Sequence, residues 1–257
     1  MPRVIAVANQ KGGVGKTTTS LNLAAALAAA GRRVLLLDLD PQANATAGLG
    51  LASAPDHSMY NVLSDGLPLA ECIAPTAISG LELAVSHIDL SAAELELVSA
   101  LAREYVLRRA LERAELKYDY VIIDCPPSLG LLTLNALVAA GEVLIPVQCE
   151  FYALAGLAKL LDTIGRIRQV LNSGLQVAGA VLTMYDARTN LSKEVVDEVR
   201  RNFPDHVFET VIPRSVRLAE APSHGLPINL HDVDGTGARA YAALALELDA
   251  MTREAHA

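Results

Sequence analysis

The sequence predicts an α/β fold in which a doubly wound, mostly parallel sheet carries helices on both faces. Short β-branched runs alternate with longer Ala- and Leu-rich stretches, which is the pattern of repeated strand–helix units. Runs such as VLLLDL and YVIID are apolar at successive positions, as strands covered on both faces require. Aromatic residues make up only 4% of the chain, so aliphatic side chains must fill its core.

Seven strands and seven helices are predicted along a single domain, residues 1–257. The predicted strands are Val4–Ala8, Arg33–Leu39, Leu81–Val85, Tyr118–Asp124, Glu142–Val147, Gln176–Met184 and Val207–Thr210. The predicted helices are Lys16–Ala30, Ser91–Ala114, Leu131–Ala140, Ala153–Leu171, Ser192–Phe203, Ser215–Ala221 and Gly237–Thr252. Gly48–Pro75 is rich in turn residues and indicates an excursion with short helical pieces.

The composition excludes several classes of protein. With 52% hydrophobic and 19% charged residues, the chain is not disordered. The net charge is −8, so nucleic-acid binding would need a local basic patch, and it should be weak and salt-sensitive. Cys72, Cys125 and Cys149 form no C-x-x-C pair, which favours buried thiols in a reducing cytoplasm. No signal peptide is recognised, and the apolar run Ala24–Ala30 is too short to span a membrane.

The first predicted strand leads into a glycine-rich loop that opens a helix, which is the context of a phosphate-binding loop. VIAVA precedes QKGGVGK, and TTTSLNLAAALAA follows. Glycines allow successive N–H groups to face one anion, and the helix N-terminus adds its positive end. The residues expected around the phosphates of a bound nucleotide are Gly12, Gly13, Val14, Gly15, Lys16, Thr17 and Thr18.

Within this loop, Lys16 is expected at the β- and γ-phosphates, the Thr17 hydroxyl on Mg²⁺ and Thr18 near the α-phosphate. The standard pattern G-x-x-x-x-G-K-[ST] fails at one position, because Gln10 stands where its first glycine belongs. Lys11 is a second cation beside the loop that the standard pattern does not require.

Three carboxylates follow two of the predicted strands. Asp38 and Asp40 close VLLLDLDPQ, and Asp124 closes YVIID. Ligands of doubly wound sheets bind at the carboxyl ends of the strands, and Mg²⁺ prefers hard oxygen ligands. Asp124 therefore has the Walker B pattern of an acid that holds the Mg²⁺ shell. Asp38 is left open between a turn-forming role and a role in the site.

These motifs resemble those of the ParA/MinD ATPases, which carry a deviant phosphate loop. The resemblance covers nearly the whole chain and is strongest to the chromosomal ParA branch; it rests on KGGVGKT, DLDPQANAT, IIDCPPSLGLLTLNAL, IPVQCEFYALAGL, LTMYDARTNLS and VIPRSVRLAEAPSHGLPI. It implies ATP and Mg²⁺ as cofactors and Lys11, Lys16 and Asp40 as catalytic residues. Asp40 would position the attacking water and share the Mg²⁺ shell with Thr17 and Asp124, partly through water.

The resemblance also implies partners. In the family, Lys11 would reach across a sandwich homodimer to the nucleotide of the other subunit; the alternative is a solvated surface lysine. ATP-bound dimers would bind double-stranded DNA without sequence preference, and a ParB-type centromere-binding protein would stimulate slow hydrolysis and release them. The chain would then be cytoplasmic and nucleoid-associated, with no membrane contact.

Three further residues take expected roles from the resemblance. Arg188 and Arg217 match positions implicated in DNA binding, and arginine suits phosphates because its planar fork donates two hydrogen bonds. Pro213 is expected near the adenine. The next predicted helix after Arg188 carries Lys193, Arg200 and Arg201. These residues either extend the DNA patch or form a solvated face, and the sequence favours neither reading over the other.

Several alternatives stay open at this stage. The phosphate loop begins so early that no N-terminal helix-turn-helix domain is expected, and Ala43 stands where many relatives carry glycine. A MinD-like membrane ATPase would end in a basic amphipathic helix, whereas LALELDAMTREAHA is acidic and has no aromatic residue. An iron–sulfur relative would need cysteines in a cluster context. A scaffold without hydrolysis is disfavoured because Lys16 and Asp40 are both present.

Overall fold

A single eight-stranded sheet organises the chain. The computed structural model describes residues 2–151 and 153–254. Its strands are β1 (Arg3–Val7), β2 (Val34–Asp38), β3 (Ile73–Pro75), β4 (Leu81–Ala84), β5 (Tyr120–Asp124), β6 (Glu142–Gln148), β7 (Gln176–Tyr185) and β8 (Val207–Pro213). They lie in the order β3-β4-β2-β5-β1-β6-β7-β8, and every neighbouring pair is parallel except β3 with β4. The predicted doubly wound α/β class is confirmed.

The helices cover both faces of the sheet. They are α1 (Lys16–Ala29), α2 (Asn44–Gly48), α3 (Met59–Ser64), α4 (Leu90–Glu96), α5 (Val106–Arg113), α6 (Leu131–Ala139), α7 (Ala153–Val170), α8 (Asn190–Asn202), α9 (Val216–Glu220), α10 (Ile228–His231) and α11 (Thr236–Glu254). Alternate strand residues point to opposite faces. In β1, Ile5 and Val7 pack against α1 and α9–α11, whereas Ala6 packs against the α3–α8 side. The strands are therefore buried on both faces.

The predicted single helix Ser91–Ala114 is wrong, because the chain breaks between α4 and α5. Ala102 adopts a left-handed φ of 50°, which a continuing α-helix does not allow. The Asn135 side chain of α6 stabilises the new start: its Oδ1 accepts from Leu107 N at 3.1 Å and its Nδ2 donates to Arg103 O at 2.9 Å. Both hydrogen bonds come from a residue distant in sequence, so local periodicity could not reveal them.

The edges of the sheet also differ from expectation. The strand β3 was not predicted; it is a three-residue antiparallel edge strand that ends in Pro75, a residue tolerated at edges because it donates no ladder bond. At the other edge, β8 runs on to Pro213, beyond the predicted end at Thr210. This extension brings the segment after β8 to the carboxyl ends of the strands, where the loop after β1 also lies.

Candidate nucleotide-binding site

The loop between β1 and α1 has the curled backbone of an anion-binding loop. Gly13 and Gly15 adopt φ values of 74° and 88°, a region that side-chain-bearing residues rarely enter. Gly15 is the N-cap of α1, so the unpaired first-turn amides of that helix face the loop. The Val14 carbonyl is fixed from the neighbouring part of the sheet, since the Thr183 hydroxyl donates to it at 2.8 Å. The loop is therefore held in a shape suited to phosphate.

Lys16 lies at the first turn of α1 with only 6% of its surface exposed. Its Nζ donates to the carbonyl oxygen of Lys11 at 3.1 Å, so the side chain curls back over the glycine loop. Burial lowers the pKa of this ammonium, while the nearby Asp124, Cys125 and Asp40 raise it. A buried cation whose ammonium, among the described residues, donates to a single neutral oxygen is suited to an incoming anion.

Asp124 ends β5 directly beside the phosphate loop. In the parallel ladder it is level with Val7 of β1 and Asp38 of β2. The side chain is fully buried; Oδ1 accepts from the Ser20 hydroxyl at 2.8 Å, whereas Oδ2 has no hydrogen-bond partner among the described residues. Burial raises the pKa of this carboxyl, Asp38 raises it further, and the hydroxyls of Ser20 and Thr17 oppose the rise.

A divalent cation fits this carboxylate. A buried oxygen without a donor loses free energy unless a ligand or water reaches it. Asp124 Oδ2 is such an oxygen, and Thr17 and Asp40 are close enough to influence its pKa. Hard oxygen ligands of this kind hold Mg²⁺. Thr17, Asp40 and Asp124 would supply such oxygens, and their assignment to the magnesium shell stays a prediction.

The two acids after β2 have different surroundings. Asp38 is fully buried and accepts from Thr46 N and Thr46 Oγ1, both at 2.8 Å, and from Asp40 N at 3.2 Å. Burial raises the pKa of Asp38 to about 6. Its oxygens thus anchor α2 to the sheet, which is a structural role. Asp40 is 7% exposed, and its charge, unlike that of Asp38, is among those that raise the pKa of Lys16.

The position of Asp40 is fixed from two sides. One carboxylate oxygen accepts from Gln42 N at 3.0 Å, and the main-chain carbonyl accepts from the Ser86 hydroxyl at 2.7 Å. The carboxylate also interacts electrostatically with Lys16 and with Asp124. Asp40, Lys16 and Asp124 are therefore brought together at one edge of the sheet. Ser86 and Ser20 hold this arrangement in place, and neither was predicted, because no motif in the sequence signals their contacts with Asp40 and Asp124.

Pro213 lines a cavity that also reaches the phosphate loop. The cavity has a volume of about 370 Å³, and its lining includes Gly15, Thr18, Gln148, Tyr241 and the segment from Ile212 to Val216. A purine base and its ribose need a partly apolar cleft of this kind next to the phosphates. The structure thus places Pro213 and Thr18 in the lining of one cavity, and the assignment of Pro213 to the adenine stays a prediction.

Lys11 is on the exposed rim of the site. Its ammonium forms an ion pair with the carboxylate of Glu150, at the turn between β6 and α7. The side chains of Lys11 and Glu150 are 47% and 34% exposed. Gly12 and Gly13 are exposed beside it. Lys11 is therefore at the surface and outside the cluster formed by Lys16, Asp40 and Asp124.

The arginines expected to bind DNA share one edge of the sheet. Arg188 follows β7, Arg217 is in α9, and β7 and β8 are parallel neighbours with Tyr185 level with Pro213. Arg188 donates to Asp186 at 2.7 and 2.9 Å, and this contact lowers the pKa of Asp186 to about 2. Arg217 donates to Glu220 at 3.2 Å. Both arginines are exposed.

A third arginine belongs to this patch and was missed. Arg214 is exposed, its amide donates to Tyr185 O at 2.9 Å, and its charge also lowers the pKa of Asp186. Of the proposed extension, Lys193 lies in the first turn of α8. Arg200 and Arg201 lie in its last turn, about 11 Å further along the helix axis.

The three cysteines do not form a metal site. All are free and buried, and they lie on different elements of the fold. Burial raises the pKa of Cys72 to about 12 and of Cys149 to about 11, and it raises that of Cys125 still further. Neutral thiols are poor nucleophiles and poor metal ligands. No group of three or more side chains that could hold a metal ion is found among the described residues.

The fold and the site together define a P-loop nucleotide-binding protein of the doubly wound α/β class. Comparison with known proteins narrows this class. A family model described as an AAA domain matches residues 2–177. The sporulation initiation inhibitor protein Soj of Bacillus subtilis is 53% identical over 97% of this chain and 99% of its own length. The chromosome partitioning protein ParA of Myxococcus xanthus is 52% identical over 96% of this chain and 87% of its own.

A solved structure agrees with this fold. The crystal structure of a protein named cobyrinic acid a,c-diamide synthase from Mycobacterium smegmatis, with bound ADP and magnesium, has a TM-score of 0.85 and 41% identity, and the match covers 100% of this chain and 96% of that one. The chain belongs to the ParA/MinD family of ATPases, close to the chromosomal partitioning proteins ParA and Soj. Among the described residues, no helix combines the length and the apolar character that a membrane crossing needs.

Proposed function

We propose that this chain is a chromosome- or plasmid-partitioning ATPase that uses ATP and Mg²⁺ to switch between a single chain and a DNA-binding homodimer. One observation carries the proposal: Lys16, Asp40 and Asp124 converge at the carboxyl edge of the sheet, and a second lysine, Lys11, lies on the exposed rim beside them. A single active site needs the first three residues. The rim lysine is not needed within that site and, once it leaves Glu150, can serve another subunit.

The buried residues account for binding and hydrolysis. The amides of the glycine loop and the Lys16 ammonium bind the phosphates, and Thr17 with Asp124 would hold Mg²⁺, which neutralises charge on the β- and γ-phosphates. Asp40 orients a water molecule in line with the γ-phosphorus. The water oxygen bonds to phosphorus while the bond from phosphorus to the β-phosphate oxygen breaks, giving ADP and phosphate. Such a reaction needs positioning more than a strong base.

The rim lysine supports the dimer. Two triphosphates buried at a subunit interface concentrate negative charge, and a cation from the opposite subunit offsets it. Lys11 is exposed and its cis partner Glu150 is also partly exposed, so this ion pair costs little to exchange. In the proposed dimer each Lys11 leaves Glu150 and contacts the nucleotide of the other subunit. Nucleotide binding and dimerisation then depend on each other.

DNA binding follows from doubling the basic patch. The exposed arginines at the end of the sheet provide a few phosphate contacts on one chain, in a protein whose net charge is −8. A dimer presents twice as many contacts and so holds the duplex without reading its sequence. Binding places the dimer on the nucleoid in the cytoplasm. A ParB-type centromere-binding protein then stimulates hydrolysis, and the separated chains leave the DNA.

Two other functions find less support. The name of the Mycobacterium smegmatis protein indicates amide formation, and covalent catalysis of such a reaction by cysteine would need a reactive thiolate. All three cysteines of this chain are buried, and their thiol pKa values are raised. A MinD-like membrane ATPase would bind anionic liposomes in the presence of ATP. We expect no sedimentation with such liposomes, because the sequence of α11 has no basic apolar face.

Light scattering of Asp40→Ala with ATP and with ADP tests the proposal. This variant should keep ATP unhydrolysed and form a dimer of twice the 27.1 kDa chain mass that binds duplex DNA. With ADP it should remain a single chain. Lys16→Ala should fail to bind nucleotide, and Lys11→Ala should bind nucleotide without dimerising. A single chain of Asp40→Ala in saturating ATP, or equal DNA binding without nucleotide, would refute the switch.

A further inference from the structure

An exposed apolar ridge follows β4. We define it as residues 88–104, whose large outward side chains are Ile88, Leu95, Val98 and Leu101, exposed by 56%, 78%, 57% and 93%. The inner face of the same segment is ordinary core, with Leu90, Ala93 and Leu97 buried. A surface helix normally carries polar residues on its outer face. Clusters of exposed large apolar side chains mark interaction sites in soluble proteins.

The ridge is acidic as well as apolar. It carries four carboxylates and one guanidinium, a formal net charge of −3. The single cation, Arg103, is already engaged, because its side chain donates to Glu104 at 3.1 Å and to the carbonyl oxygen of Val98. A matching partner must therefore be apolar on one face and basic around it. DNA is excluded by its charge, and a second copy of the ridge would bring like charges together.

The ridge is tied to the site at its first end. Ser86, two residues before the ridge, donates its hydroxyl to the Asp40 carbonyl at 2.7 Å, and its amide donates to Thr46 Oγ1 at 3.1 Å. Thr46 in turn donates to Asp38. A shift of the chain at Ser86 would therefore displace the backbone of Asp40, the residue expected to position water.

The ridge is tied to the site a second time through Glu94. Its Oε1 accepts from Leu132 N at 3.3 Å in the first turn of α6, the helix that follows the loop after Asp124. Gly130 of that loop lies so close that a Cβ there would approach Glu94 Oε1 to 2.1 Å. The two connections thus lead from one exposed surface to the backbone of Asp40 and to the end of the loop that follows Asp124.

We propose that residues 88–104 are the docking surface for a basic amphipathic segment of the ParB-type partner, and that docking stimulates hydrolysis through Ser86 and Glu94. The inference rests on the proposed function and adds the location of the partner. Apolar contacts with Leu95, Val98 and Leu101 supply affinity, and the carboxylates select a cationic partner. Movement of Glu94 carries the effect of docking to the loop after Asp124.

The experiment measures ATPase stimulation by the full-length ParB-type protein of the same organism, with DNA present. The test variant is Leu95→Ser with Leu101→Ser, and the matched control is Val170→Ser with Leu246→Ser, which changes two exposed apolar residues elsewhere. We expect the half-stimulating concentration to rise at least tenfold in the test variant only, with basal hydrolysis within twofold of the wild type. Equal stimulation of both double variants overturns the docking surface.

Two further variants test charge and transmission. Glu96→Lys should weaken stimulation several-fold, whereas Glu71→Lys, an equal charge change on an exposed residue outside the ridge, should not; equal effects overturn the selection of the partner by charge. Glu94→Ala should lower maximal stimulation while the half-stimulating concentration stays within threefold, and an unchanged maximum overturns transmission through Glu94. If the partner does not stimulate the wild-type chain at all, the proposed function itself fails. If it stimulates the wild type and the ridge variants equally, only the location of the docking surface fails.

Discussion

The Lys11 ammonium is paired with the Glu150 carboxylate of its own chain, across the rim of the nucleotide site. This pair joins the phosphate loop to the turn between β6 and α7, two segments that neighbouring strands of the sheet bring together. The lysine expected to act on another subunit is thus already neutralised in the single chain. Dimerisation then exchanges one ion pair for another, and Glu150 opposes it.

Glu150→Gln should therefore favour the dimer. Exposed ion pairs contribute about 0.2–1 kcal/mol each, and one is exchanged for each of the two ATP molecules in the dimer, so the ATP concentration for half-maximal dimerisation should fall roughly 1.4- to fivefold. Light scattering during an ATP titration in the Asp40→Ala background measures the change. Glu209→Gln, which removes an exposed partner of Arg200, is the control. A requirement for more ATP in Glu150→Gln would contradict the cis competition.

Asp124→Asn should stabilise the nucleotide-free protein. Burial raises the pKa of Asp124 in the folded chain above its unfolded value, so the folded state retains a proton that the unfolded state has lost. Stability is then lost as the pH rises from the unfolded pKa of about 4 towards the raised folded pKa. The asparagine side chain does not titrate, so this loss of stability disappears, and its amide oxygen can still accept from the Ser20 hydroxyl. We expect the Tm to rise by a few degrees at pH 8 and less at pH 5.

The same substitution separates stability from function. Asp124→Asn should lose the Mg²⁺-dependent part of ATP binding, because an amide oxygen is a weaker magnesium ligand than a carboxylate. Calorimetry with and without Mg²⁺ measures this part. Asp162→Asn, on an exposed residue of α7, should change neither the Tm nor the binding. If the nucleotide-free variant melts at a lower temperature at pH 8, the carboxyl of Asp124 is not destabilised as described.

Much of the site could be predicted because its signals are local. The glycine loop, Lys16 and the strand-ending acids Asp40 and Asp124 are contiguous with the strands that position them, and parallel strands bring such ends to one edge. The class of fold followed from strands that are apolar at successive positions. These inferences needed no knowledge of which distant residues meet.

The missed features all depend on distant contacts. Asn135 interrupts the predicted helix from another element, and Ser86 and Glu150 reach the site from loops far from it in sequence. Among the missed residues, Arg214 is the easiest to predict from the sequence, because it lies three residues before Arg217 in VIPRSVR. Whether it shares a surface with Arg188 depends on the pairing of β7 with β8, which periodicity alone does not specify.

Ala43→Gly should stabilise the chain. Ala43 has a φ of 52° just before α2, and side-chain-bearing residues lose roughly 1–2 kcal/mol when they adopt this left-handed conformation. Glycine avoids that strain but increases the entropy of the unfolded chain, so we expect a net gain of about 0.5–1 kcal/mol and a Tm rise of about 1–4 °C. Ala47→Gly, an exposed position inside α2, should lower the Tm. Calorimetric melting of both variants decides the matter.

Arg214→Ala should weaken DNA binding by removing one phosphate contact per chain. Each contact contributes about 0.9 to the slope of log K against log salt, so a dimer that loses two should show a slope smaller by about 1.8. Anisotropy of a labelled duplex, titrated at 50–200 mM salt with Asp40→Ala dimers in saturating ATP, gives the slope. Arg108→Ala, which removes an arginine paired with Glu112 on α5, should leave the slope unchanged.

Because Arg214 also lines the cavity shared with Pro213, light scattering must show that Arg214→Ala forms the same fraction of dimer as the parent protein. An unaltered slope in a fully dimeric Arg214→Ala protein would remove this arginine from the DNA patch and leave Arg188 and Arg217 as its candidates.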